Sequence, residues 1–485
     1  MPRRNLVWLL GMTLVSLFCW TVARGGLAPP RGPLQFVKGF PQDYENLDLL
    51  VDIMQHVEQN YVHELTPEER RKFIEAAIQG GLQSLDLHSG YINPREFKQF
   101  LKSSEGSFGG VGIQITVNRE TKRLTVISPI VGTPAYKAGI KPGDEITKVN
   151  GVPTDNMTIE DAVDKIQGPP GTPVTLTIRH RGSDREIDLK IIRSRIEVES
   201  VLGDQRDADK QWDYLLDKEN RIGYLRLVQF SKKAPAELRD ALVKLKRQNV
   251  RGLVLDLRDN PGGLLEAAVE IADLFLTSGK IVSVEGRNRA PHVYEAKPDD
   301  TVLPDVPIVV LINDHSASAS EIVAAALQDN RRAVVIGERS FGKGSVQNLI
   351  ELEGGKSALK LTTAKYVRPS GKNIHRFPDS KEEDDWGVRP DIEVTVTREE
   401  ELEYLIGRRE RDIVHGEESP EETLAKIAAM TGPLGSGWTL GVPLGTAPAL
   451  TGVIHALPDM PRAPFPFKDK VLERALEHLR EKLSG

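Results

Sequence analysis

The sequence predicts an α/β core with additional domains, and three observations support that prediction. Short apolar strands alternate with amphipathic helices between about residues 201 and 414, as they do in α/β proteins. The preceding stretch, residues 106–195, contains short β-type runs punctuated by glycine. At 485 residues, the chain exceeds the size at which one hydrophobic core normally keeps growing. We therefore expect two or three domains.

Composition and charge are those of an ordinary globular protein. The chain is 39% hydrophobic and 28% charged, with a net charge of −6 and a pI near 6.0. Its basic residues are dispersed rather than clustered, so we expect no nucleic-acid partner. The single cysteine, Cys19, lies in an apolar N-terminal stretch, and the ten histidines have no ligand-like spacing. We therefore expect no disulfide, no metal and no cofactor.

An apolar run covers residues 6–22 and is preceded by Arg3 and Arg4. This arrangement is typical of a secretory signal peptide or an uncleaved signal anchor, to which we assign residues 1–25. A core helix is the alternative, but the N-terminal position behind two arginines favours export. We expect an exported, extracytoplasmic protein, in the periplasm or on the outer face of the membrane, and leave open whether this segment is cleaved or attaches the chain to the membrane.

Residues 26–105 predict a linker followed by a small helical region. The linker is rich in Gly and Pro. Apolar residues then recur with helical period over residues 47–61. Thr66, Pro67 and Glu69 have the N-cap, first-turn and capping-box positions of a second helix.

Residues 106–197 predict a compact, half-open β-barrel with a helix. The β-type runs are Val111–Val117, Leu124–Ser128, Val174–Ile178 and Ile187–Ile192, and the helical stretch is Ile159–Ile166.

Residues 198–414 contain two successive units of strand, turn and helix. The first comprises the strand Gly252–Leu257, the turn Asn260–Gly263 and a helix with apolar positions from Leu265 to Leu276; the second comprises the strand Ile308–Ile312, the helix Ser318–Gln328 and a further strand, Ala333–Ile336.

The last region, residues 415–485, begins with an extension that is dense in Gly, Pro, Thr and Ala over residues 431–466. This composition predicts a loop or a partly disordered segment. Apolar residues at helical spacing then predict a terminal helix: Leu472, Ala475, Leu476, Leu479 and Leu483.

A serine and a lysine are candidates for catalysis. Ser318 lies where a strand gives way to a helix, so the helix N-terminus would favour negative charge developing there. Lys343 lies between two glycines after an apolar strand, and desolvation there would lower its pKa toward roughly 7 to 8, as a general base requires. Structural interpretations also exist, because Ser316, Ser318 and Ser320 suit cap or packing positions and Lys343 suits a surface loop. The residues alone leave the choice among the three serines open.

The turn at residues 260–263 is a candidate for binding negative charge. Its glycines allow the backbone to approach a ligand at the end of a buried strand, where α/β proteins form their sites. Its free N–H groups could supply half of an oxyanion hole, and the N–H of Ala319 the other half. The alternative is an ordinary structural turn.

Four ordered motifs resemble those of the carboxyl-terminal processing proteases, also called tail-specific proteases. The motifs are Asp256–Gly263, Ser316–Glu321, Phe341–Gln347, and Leu361–Tyr366 with Pro369–Gly371. The resemblance covers roughly residues 47–414. It implies a crotonase-like α/β protease core with an inserted PDZ domain and helical N- and C-terminal elements.

The same resemblance implies roles for six residues of the core. They are Ser318 as nucleophile, Lys343 as general base, Gln347 as the residue that orients the lysine amine, Gly262 and Ala319 as backbone oxyanion donors, and Asp329 in a secondary role.

The middle region resembles a PDZ domain, in which Gly110, Val111, Gly112 and Ile113 would form the carboxylate-binding loop. Successive backbone N–H groups capture a terminal carboxylate in such a loop, and the peptide adds as a strand beside it. From the residues alone, this segment is only a turn into a strand.

Four positions depart from the family pattern. Asp259 replaces an asparagine, Ser340 a threonine, and Leu87 the proline of the helical cap's D-P-H-S segment. Gln167 stands where arginine is frequent, and in some relatives that arginine helps couple substrate binding to activation. None of the four removes a group with an implied catalytic role.

The implied function is that of a serine endopeptidase that recognises exposed C-termini of protein or peptide substrates through its PDZ domain and cleaves them with a Ser318–Lys343 dyad. An extracytoplasmic PDZ scaffold with an inactive protease-like domain is the alternative. A Ser-His-Asp hydrolase is a third possibility, which would need a distant histidine such as His375 because His315 is too close to the serine in sequence. The amphipathic terminal helices permit a homo-oligomer.

Overall fold

The computed structural model describes residues 43–413, apart from 119–120, 156 and 288–289, and residues 468–484. The predicted signal segment and the Gly- and Pro-rich extension lie outside the described residues. Within the described ranges, no helix is both long and apolar enough to cross a membrane.

The first of two compact units ends at Ala76, and its described part is helical. Helix α1 covers Asp43–Asn60, and helix α2 covers Pro67–Gln83, which continues beyond the unit's limit. The N–H of Thr66 donates to Oε2 of Glu69 (2.9 Å), and the N–H of Glu69 donates to Oγ1 of Thr66 (3.2 Å). The predicted capping box is therefore confirmed.

The second unit begins with a strand and a helix that lead into a six-stranded sheet. The elements are β1 (Gly90–Ile92), α3 (Pro94–Glu105), β2 (Ser107–Gly110), β3 (Ile113–Val117), β4 (Leu124–Pro129), α4 (Pro134–Lys137), β5 (Glu145–Val149), β6 (Val152–Pro153), α5 (Ile159–Ile166), β7 (Pro173–Arg179), β8 (Glu186–Ile192) and β9 (Ser194–Glu197). The sheet order is β3-β4-β5-β7-β8, with β6 paired to β5, while β2 and β9 form a separate ladder. Aliphatic side chains fill the interior. Strand β3 lies at the sheet edge, where a further strand can be added.

The remaining chain forms the α/β core and a second sheet. Its elements are β10 (Val201–Leu202), β11 (Gln205–Arg206), β12 (Trp212–Asp213), β13 (Leu215–Asp217), β14 (Ile222–Leu227), α6 (Ala234–Arg247), β15 (Gly252–Asp256), α7 (Leu265–Asp273), β16 (Lys280–Gly286), β17 (His292–Glu295), a 3-10 turn (Pro298–Asp300), β18 (Ile308–Ile312), α8 (Ala319–Asp329), β19 (Ala333–Gly337), β20 (Ser345–Leu352), β21 (Ser357–Val367), β22 (Ile392–Glu393), α9 (Arg398–Asp412) and α10 (Lys470–Ser484).

The central sheet has the order β10-β14-β15-β18-β19-β22, and β13 pairs with β14. The five strands β14, β15, β18, β19 and β22 run parallel to one another, whereas β10 and β13 pair with β14 antiparallel. Parallel strands are normally covered on both faces. Helices α6, α7 and α8 contribute to the core on one face, and α10 packs on the other through Leu472, Ala475 and Leu479. The ends of β15 and β18 thus lie side by side in a rigid, buried layer.

A second, antiparallel sheet has the order β1-β21-β16-β17, with β20 also paired to β21. Gly90 of β1 faces Lys360 of β21, so the chain just before β1 is attached to this sheet. None of these strands is predicted by the sequence patterns above. Many side chains of β20 and β21 are partly exposed and mix polar with apolar residues, which weakens the periodic signal.

A buried ionic cluster attaches α10 to the central sheet. The guanidinium of Arg258 binds Asp256 (Nη2 to Oδ2, 2.6 Å) and Asp469 (Nη2 to Oδ2, 2.8 Å); Arg258 and Asp256 are buried, and the Asp469 side chain is 9% exposed. The same guanidinium lies 4.4 Å from the ring centre of Tyr404. The hydroxyl of Tyr224 donates to Asp256 Oδ2 (2.7 Å). Residues from β14, β15, α9 and the N-terminus of α10 therefore meet at one cation.

We expect Arg258→Met to destabilise the central sheet region by about 3–5 kcal/mol, because Asp256 and Asp469 would stay buried without their cation. Denaturant unfolding followed by near-UV circular dichroism would measure the shift in midpoint. Lys372→Met is the matched control, since the pair of Lys372 with Asp385 is more than half exposed and exposed pairs contribute about 0–1 kcal/mol. Equal midpoints for the two variants would contradict the expectation.

Candidate active site

Ser318 occupies the turn between strand β18 and helix α8. Its backbone angles are φ 56° and ψ −111°. This conformation costs an L-residue about 1–3 kcal/mol and persists only where surrounding contacts impose it, as they often do at functional sites. The turn places the serine at the helix N-terminus, where N–H groups and the helix dipole favour negative charge. The predicted nucleophile thus has the backbone setting that its proposed role requires.

The hydrogen bonds distinguish Ser318 from the two neighbouring serines. The hydroxyl of Ser316 donates to the carbonyl of Leu257 (2.8 Å), and that of Ser320 donates to the carbonyl of Asn260 (2.8 Å). No acceptor among the described residues receives a hydrogen bond from Oγ of Ser318. Ser316 and Ser320 therefore fasten the turn to the neighbouring strand end, while the Ser318 hydroxyl remains available as a donor.

The fully buried carboxylate of Glu321 joins Ser318 to Lys343. Its Oε2 accepts the backbone N–H of Ser318 (2.8 Å) and that of Lys343 (2.8 Å). Its Oε1 accepts the hydroxyl of Ser340 (2.6 Å) and the N–H of Gly342 (2.7 Å). Burial raises the pKa of Glu321, and these four donors oppose that rise. Because one oxygen receives both N–H groups, the backbones of Ser318 and Lys343 lie within two hydrogen-bond lengths of each other.

The environment of Lys343 disfavours its charged form. Burial, and then the positive charge of Lys360, lower the pKa of Lys343, while the charge of Glu321 opposes that effect. The direction agrees with the desolvation expected from the sequence. Among the described residues, no hydrogen bond joins Nζ of Lys343 to Oγ of Ser318, so direct proton transfer between them requires a side-chain adjustment.

The glycines on both sides of Lys343 are required by close packing. A Cβ on Gly342 would lie 2.7 Å from Cβ of Arg376, and one on Gly344 would lie 2.4 Å from the backbone nitrogen of His375. Gly342 also has φ +89°, which side-chain-bearing residues rarely adopt. The G-K-G sequence therefore reflects a loop that lies directly against the segment around residues 375–376.

Gln347, predicted to orient the lysine amine, contacts other residues in this structure. Its side-chain nitrogen donates to Oγ of Ser345 (2.8 Å) and to Oγ1 of Thr362 (3.2 Å). Thr362 in turn donates to Oδ1 of Asp86 (3.2 Å), which also accepts the N–H of Ser89 (2.8 Å). The described residues show no hydrogen bond between Gln347 and Lys343. Gln347 is instead linked through Thr362 to the loop that precedes β1.

The histidines near the site do not form a Ser-His-Asp arrangement. Burial, and then the charge of Lys343, lower the pKa of His88 to about 4, and burial also lowers that of His375. Nδ1 of His375 is buried with no hydrogen-bond partner in the described part of the chain, whereas a triad histidine needs a carboxylate. His315 binds Asp314 (Nδ1 to Oδ1, 2.7 Å), which raises its pKa to about 9. It is therefore protonated near neutral pH and cannot act as a general base.

The predicted oxyanion donors lie side by side, but one is already engaged. A Cβ on Gly262 would lie 2.9 Å from both Cβ of Ser318 and the nitrogen of Ala319. The N–H of Gly262 donates to Oδ1 of Asn260 (2.9 Å). In contrast, no acceptor among the described residues contacts the N–H of Ala319 or that of Gly263. The turn therefore offers two unoccupied N–H groups, and Gly262 can contribute a third only after Asn260 moves.

Asp329 lies at the opposite end of helix α8 from Ser318. At a rise of 1.5 Å per residue, the two are separated by about 16 Å. The Asp329 carboxylate accepts hydrogen bonds from Nε and Nη2 of Arg368 (2.9 and 2.6 Å) and from the N–H of Ser370 (3.0 Å). Asp329 therefore anchors the turn after β21, and the structure does not bring it to the serine and the lysine.

The predicted carboxylate-binding loop, Gly110–Ile113, is held by its carbonyl groups. The carbonyl of Val111 accepts the N–H of Ala135 (2.9 Å), and that of Gly112 accepts the N–H of Ile130 (2.9 Å). No acceptor in the described ranges contacts the N–H of Val111 or Gly112. Successive unoccupied N–H groups form a concave site for an anion.

The chain is similar to known proteases in sequence and in domain content. A family model described as Peptidase family S41 matches residues 221–394, and a PDZ domain model matches residues 125–180. The chain is 42% identical to the carboxy-terminal-processing protease of Bartonella bacilliformis, over 76% of this chain and 82% of that protein. This chain belongs to the carboxy-terminal processing protease family. It is a serine-type peptidase of family S41 with a PDZ domain, so the resemblance found in the sequence is confirmed.

Other relatives have the same description. The chain is 38% identical to the carboxy-terminal processing protease CtpA of Bacillus subtilis, over 69% of this chain and 66% of that protein. A solved structure of a photosystem II D1 C-terminal processing protease is 28% identical, with a TM-score of 0.39, and the match covers 71% of this chain and 92% of that one. The predicted domain limits at residues 106–197 and 198–414 stay predictions.

Two parts of this candidate site have no role in the sequence predictions. Glu321 ends one of the motifs, and its spacing of three residues from Ser318, which is that of a capping box, is the signal that could have revealed it. The loop at residues 86–89 shows in the sequence only a missing proline. Its contact with Thr362 joins residues 276 positions apart, and no local pattern predicts such a contact.

We expect Glu321→Gln to lower kcat/KM for a tail-exposed protein substrate by about 100-fold. Each carboxylate oxygen of Glu321 accepts two hydrogen bonds, and in the variant the side-chain NH2 group of glutamine would replace one of these oxygens. Two donors would then face a donor, and each lost hydrogen bond to a charged group costs about 1.5–3 kcal/mol. Glu270→Gln makes the same change at an exposed position on α7 and should keep wild-type activity. If a folded Glu321→Gln enzyme retained full kcat/KM, the positioning role of Glu321 would be wrong.

Proposed function

We propose that this protease is an endopeptidase that recognises the C-terminal tails of its substrates through the PDZ domain and cleaves peptide bonds with a Ser318–Lys343 dyad. The observation that carries the proposal is the shared carboxylate oxygen of Glu321, which accepts the backbone N–H of both residues. The lowered pKa of Lys343 gives additional support, because only a neutral amine can accept the serine proton.

The proposed acylation step forms one bond and breaks another. Neutral Lys343 accepts the proton of the Ser318 hydroxyl as Oγ attacks the scissile carbonyl carbon. The carbonyl electron pair moves to its oxygen, which the N–H groups of Ala319 and Gly262 stabilise once Asn260 releases the latter. Collapse of this intermediate breaks the C–N bond, and the Lys343 ammonium gives its proton to the leaving amine. An acyl-enzyme on Ser318 remains.

Deacylation repeats the same chemistry with water. Lys343, neutral again, takes a proton from a water molecule that attacks the ester carbon. The second intermediate releases the new carboxyl terminus, and the lysine returns its proton to Oγ of Ser318. In the proposed mechanism, Gln347 orients the lysine amine after exchanging one of its present hydrogen bonds for a contact with Lys343.

The PDZ domain would select the substrate. The unoccupied N–H groups of Val111 and Gly112 would bind the terminal carboxylate, and the tail would pair with the open edge of β3. We also propose a crotonase-like core, export through the apolar segment at residues 6–22, an extracytoplasmic location and no nucleic-acid partner. Exposed apolar residues on α1, including Leu49 and Val51, support a homo-oligomer.

We expect Ser318→Ala to lower kcat by at least about 10,000-fold, as loss of a nucleophile does in other serine proteases. Casein or a tail-exposed peptide would serve as substrate. Ser320→Ala is the matched control, because it removes a hydroxyl only two residues away that donates to a backbone carbonyl, and it should retain most activity. Wild-type cleavage by Ser318→Ala would refute the dyad, and an inactive wild-type enzyme would favour the PDZ scaffold.

The pH profile tests the base. Because neutral Lys343 is the reacting form, kcat/KM should rise with pH through the pKa of Lys343. The positive charge of Lys360 helps to lower that pKa, so Lys360→Gln should raise it and move the rising limb to higher pH. Lys365→Gln changes the charge of an exposed lysine on the same strand and should leave the limb in place. An unmoved limb in Lys360→Gln would argue against Lys343 as the base.

A further inference from the structure

Helix α3 lies beside the PDZ helix α5, and its Lys102 contacts an amide of the PDZ region rather than a carboxylate. Arg95, near the start of α3, pairs with Asp161 (3.4 Å) and Asp164 (2.9 Å) of α5. Lys102 lies two turns further along α3 and donates from Nζ to Oε1 of Gln167 (2.6 Å). Among the described residues, no Asp or Glu lies within ion-pair distance of Lys102. The Lys102 ammonium therefore contacts the neutral amide of Gln167.

The ammonium of Lys102 is partly shielded from water. Burial, and then the charge of Lys98, lower the pKa of Lys102, and the more distant Asp164 only opposes this effect. A charge removed from water is best compensated by an opposite charge, and an amide oxygen supplies only part of that compensation. An anion arriving at this position would therefore be stabilised by Lys102.

Gln167 places this ammonium next to the carboxylate-binding loop. Its Cγ lies 3.8 Å from the position that a Cβ on Gly110 would take. The N–H of Gly168 donates to the carbonyl of Gly109 (3.1 Å), and a Cβ on Gly109 would lie 2.2 Å from the Gly168 oxygen. The end of α5 is thus packed on the strand that enters the loop. Nζ of Lys102 is hydrogen-bonded to Oε1 of Gln167, and this oxygen is two covalent bonds away from the Cγ that lies beside Gly110.

Another cation near the end of α5 already has partners. Arg193 lies against Gly168. It donates to the carbonyl oxygens of Lys165, Ile166 and Pro173, each at 2.8 Å. The first two of these hydrogen bonds satisfy C-terminal carbonyls of α5, and all three hold the guanidinium in place. Lys102, whose ammonium is held only by the Gln167 amide among the hydrogen bonds of the described residues, can instead turn toward the loop.

We propose that Lys102 supplies the positive charge that binds the substrate's C-terminal carboxylate, and that Gln167 holds its ammonium beside the loop until the substrate arrives. The proposal rests on the proposed recognition of C-terminal tails. The N–H groups of Val111 and Gly112 bind one end of the carboxylate, and Nζ of Lys102 rotates from the Gln167 oxygen to a carboxylate oxygen. Gln167 and Lys102 together thus supply the positive charge that a single cation at position 167 would supply beside the loop.

The proposal also predicts that binding discriminates between a free terminal carboxylate and its amide. A C-terminal amide has the same shape but no charge, so it gains little from Lys102. The charge lies on α3, which directly follows β1, and β1 pairs with β21 of the second sheet. Binding of the carboxylate therefore acts on a helix that is continuous with the sheet carrying Thr362.

The test uses the full-length Ser318→Ala protein and a fluorescent peptide with an apolar C-terminal residue, prepared as the free acid and as the amide. Fluorescence anisotropy gives Kd for each form. The parent should prefer the acid, and Lys102→Met should weaken acid binding by about 10- to 100-fold while amide binding is unchanged. Lys102→Arg should keep the preference. Lys98→Met removes the same charge from an exposed position on α3 and should also keep it.

The outcomes separate this proposal from the one on which it rests. If the parent binds acid and amide equally, recognition of C-termini by the PDZ domain is itself wrong. If the parent prefers the acid and Lys102→Met keeps the full preference, only the role of Lys102 is overturned. Equal losses of acid binding in Lys98→Met and Lys102→Met would also overturn it, because the effect would then come from the general positive charge of α3. A loss of amide binding in Lys102→Met would overturn it as well, because the substitution would then have altered the structure of the binding site.

Discussion

The buried carboxylate of Glu321 is the interaction on which the geometry of the protease site depends. It lies in the first turn of α8, where the helix dipole favours a negative charge. A carboxylate without solvent would be costly, but four donors surround it. These donors come from the turn before α8 and from the loop before β20. One side chain therefore fixes the distance between the two segments that carry Ser318 and Lys343.

The same contacts explain how Ser318 keeps an unfavourable backbone conformation. Its N–H is bound to Glu321, and its carbonyl accepts the N–H of Ile322 (3.0 Å). The turn before it is fastened by Ser316, whose carbonyl accepts the N–H of Phe341 (3.0 Å). Gly262 lies so close that no side chain fits at its position. Strain at one residue is thus outweighed by hydrogen bonds and packing from three neighbouring segments.

Local pattern predicted those parts of the fold in which local interactions dominate. The helix Ile159–Ile166 and the strand Ile308–Ile312 are found at their predicted limits, because a capped amphipathic turn and a buried parallel strand both leave clear periodic signals. The second sheet was missed, since its pairing of β1 with β21 joins segments about 270 residues apart in positions that are partly exposed. For the candidate site, motifs predicted roles for Ser318 and Lys343 but none for the carboxylate that the structure places between them. At Gln167 the sequence showed a missing arginine, whereas the structure shows a lysine 65 positions away beside it.

Several polar groups of the candidate site are satisfied here by partners that a substrate would replace under the proposed mechanism. The N–H of Gly262 is bound to Asn260, the ammonium of Lys102 to Gln167, and the side-chain nitrogen of Gln347 to Ser345 and Thr362. Each replacement breaks one of these hydrogen bonds and forms another with a charged or reacting group. The free energy of the replacement is therefore favourable only when substrate is present. Under the proposed recognition of tails, binding energy from the tail would be used to assemble the catalytic arrangement rather than simply to hold the substrate more tightly. In that proposal, specificity would follow from this order, because a chain without a free carboxylate could not supply the first of these replacements.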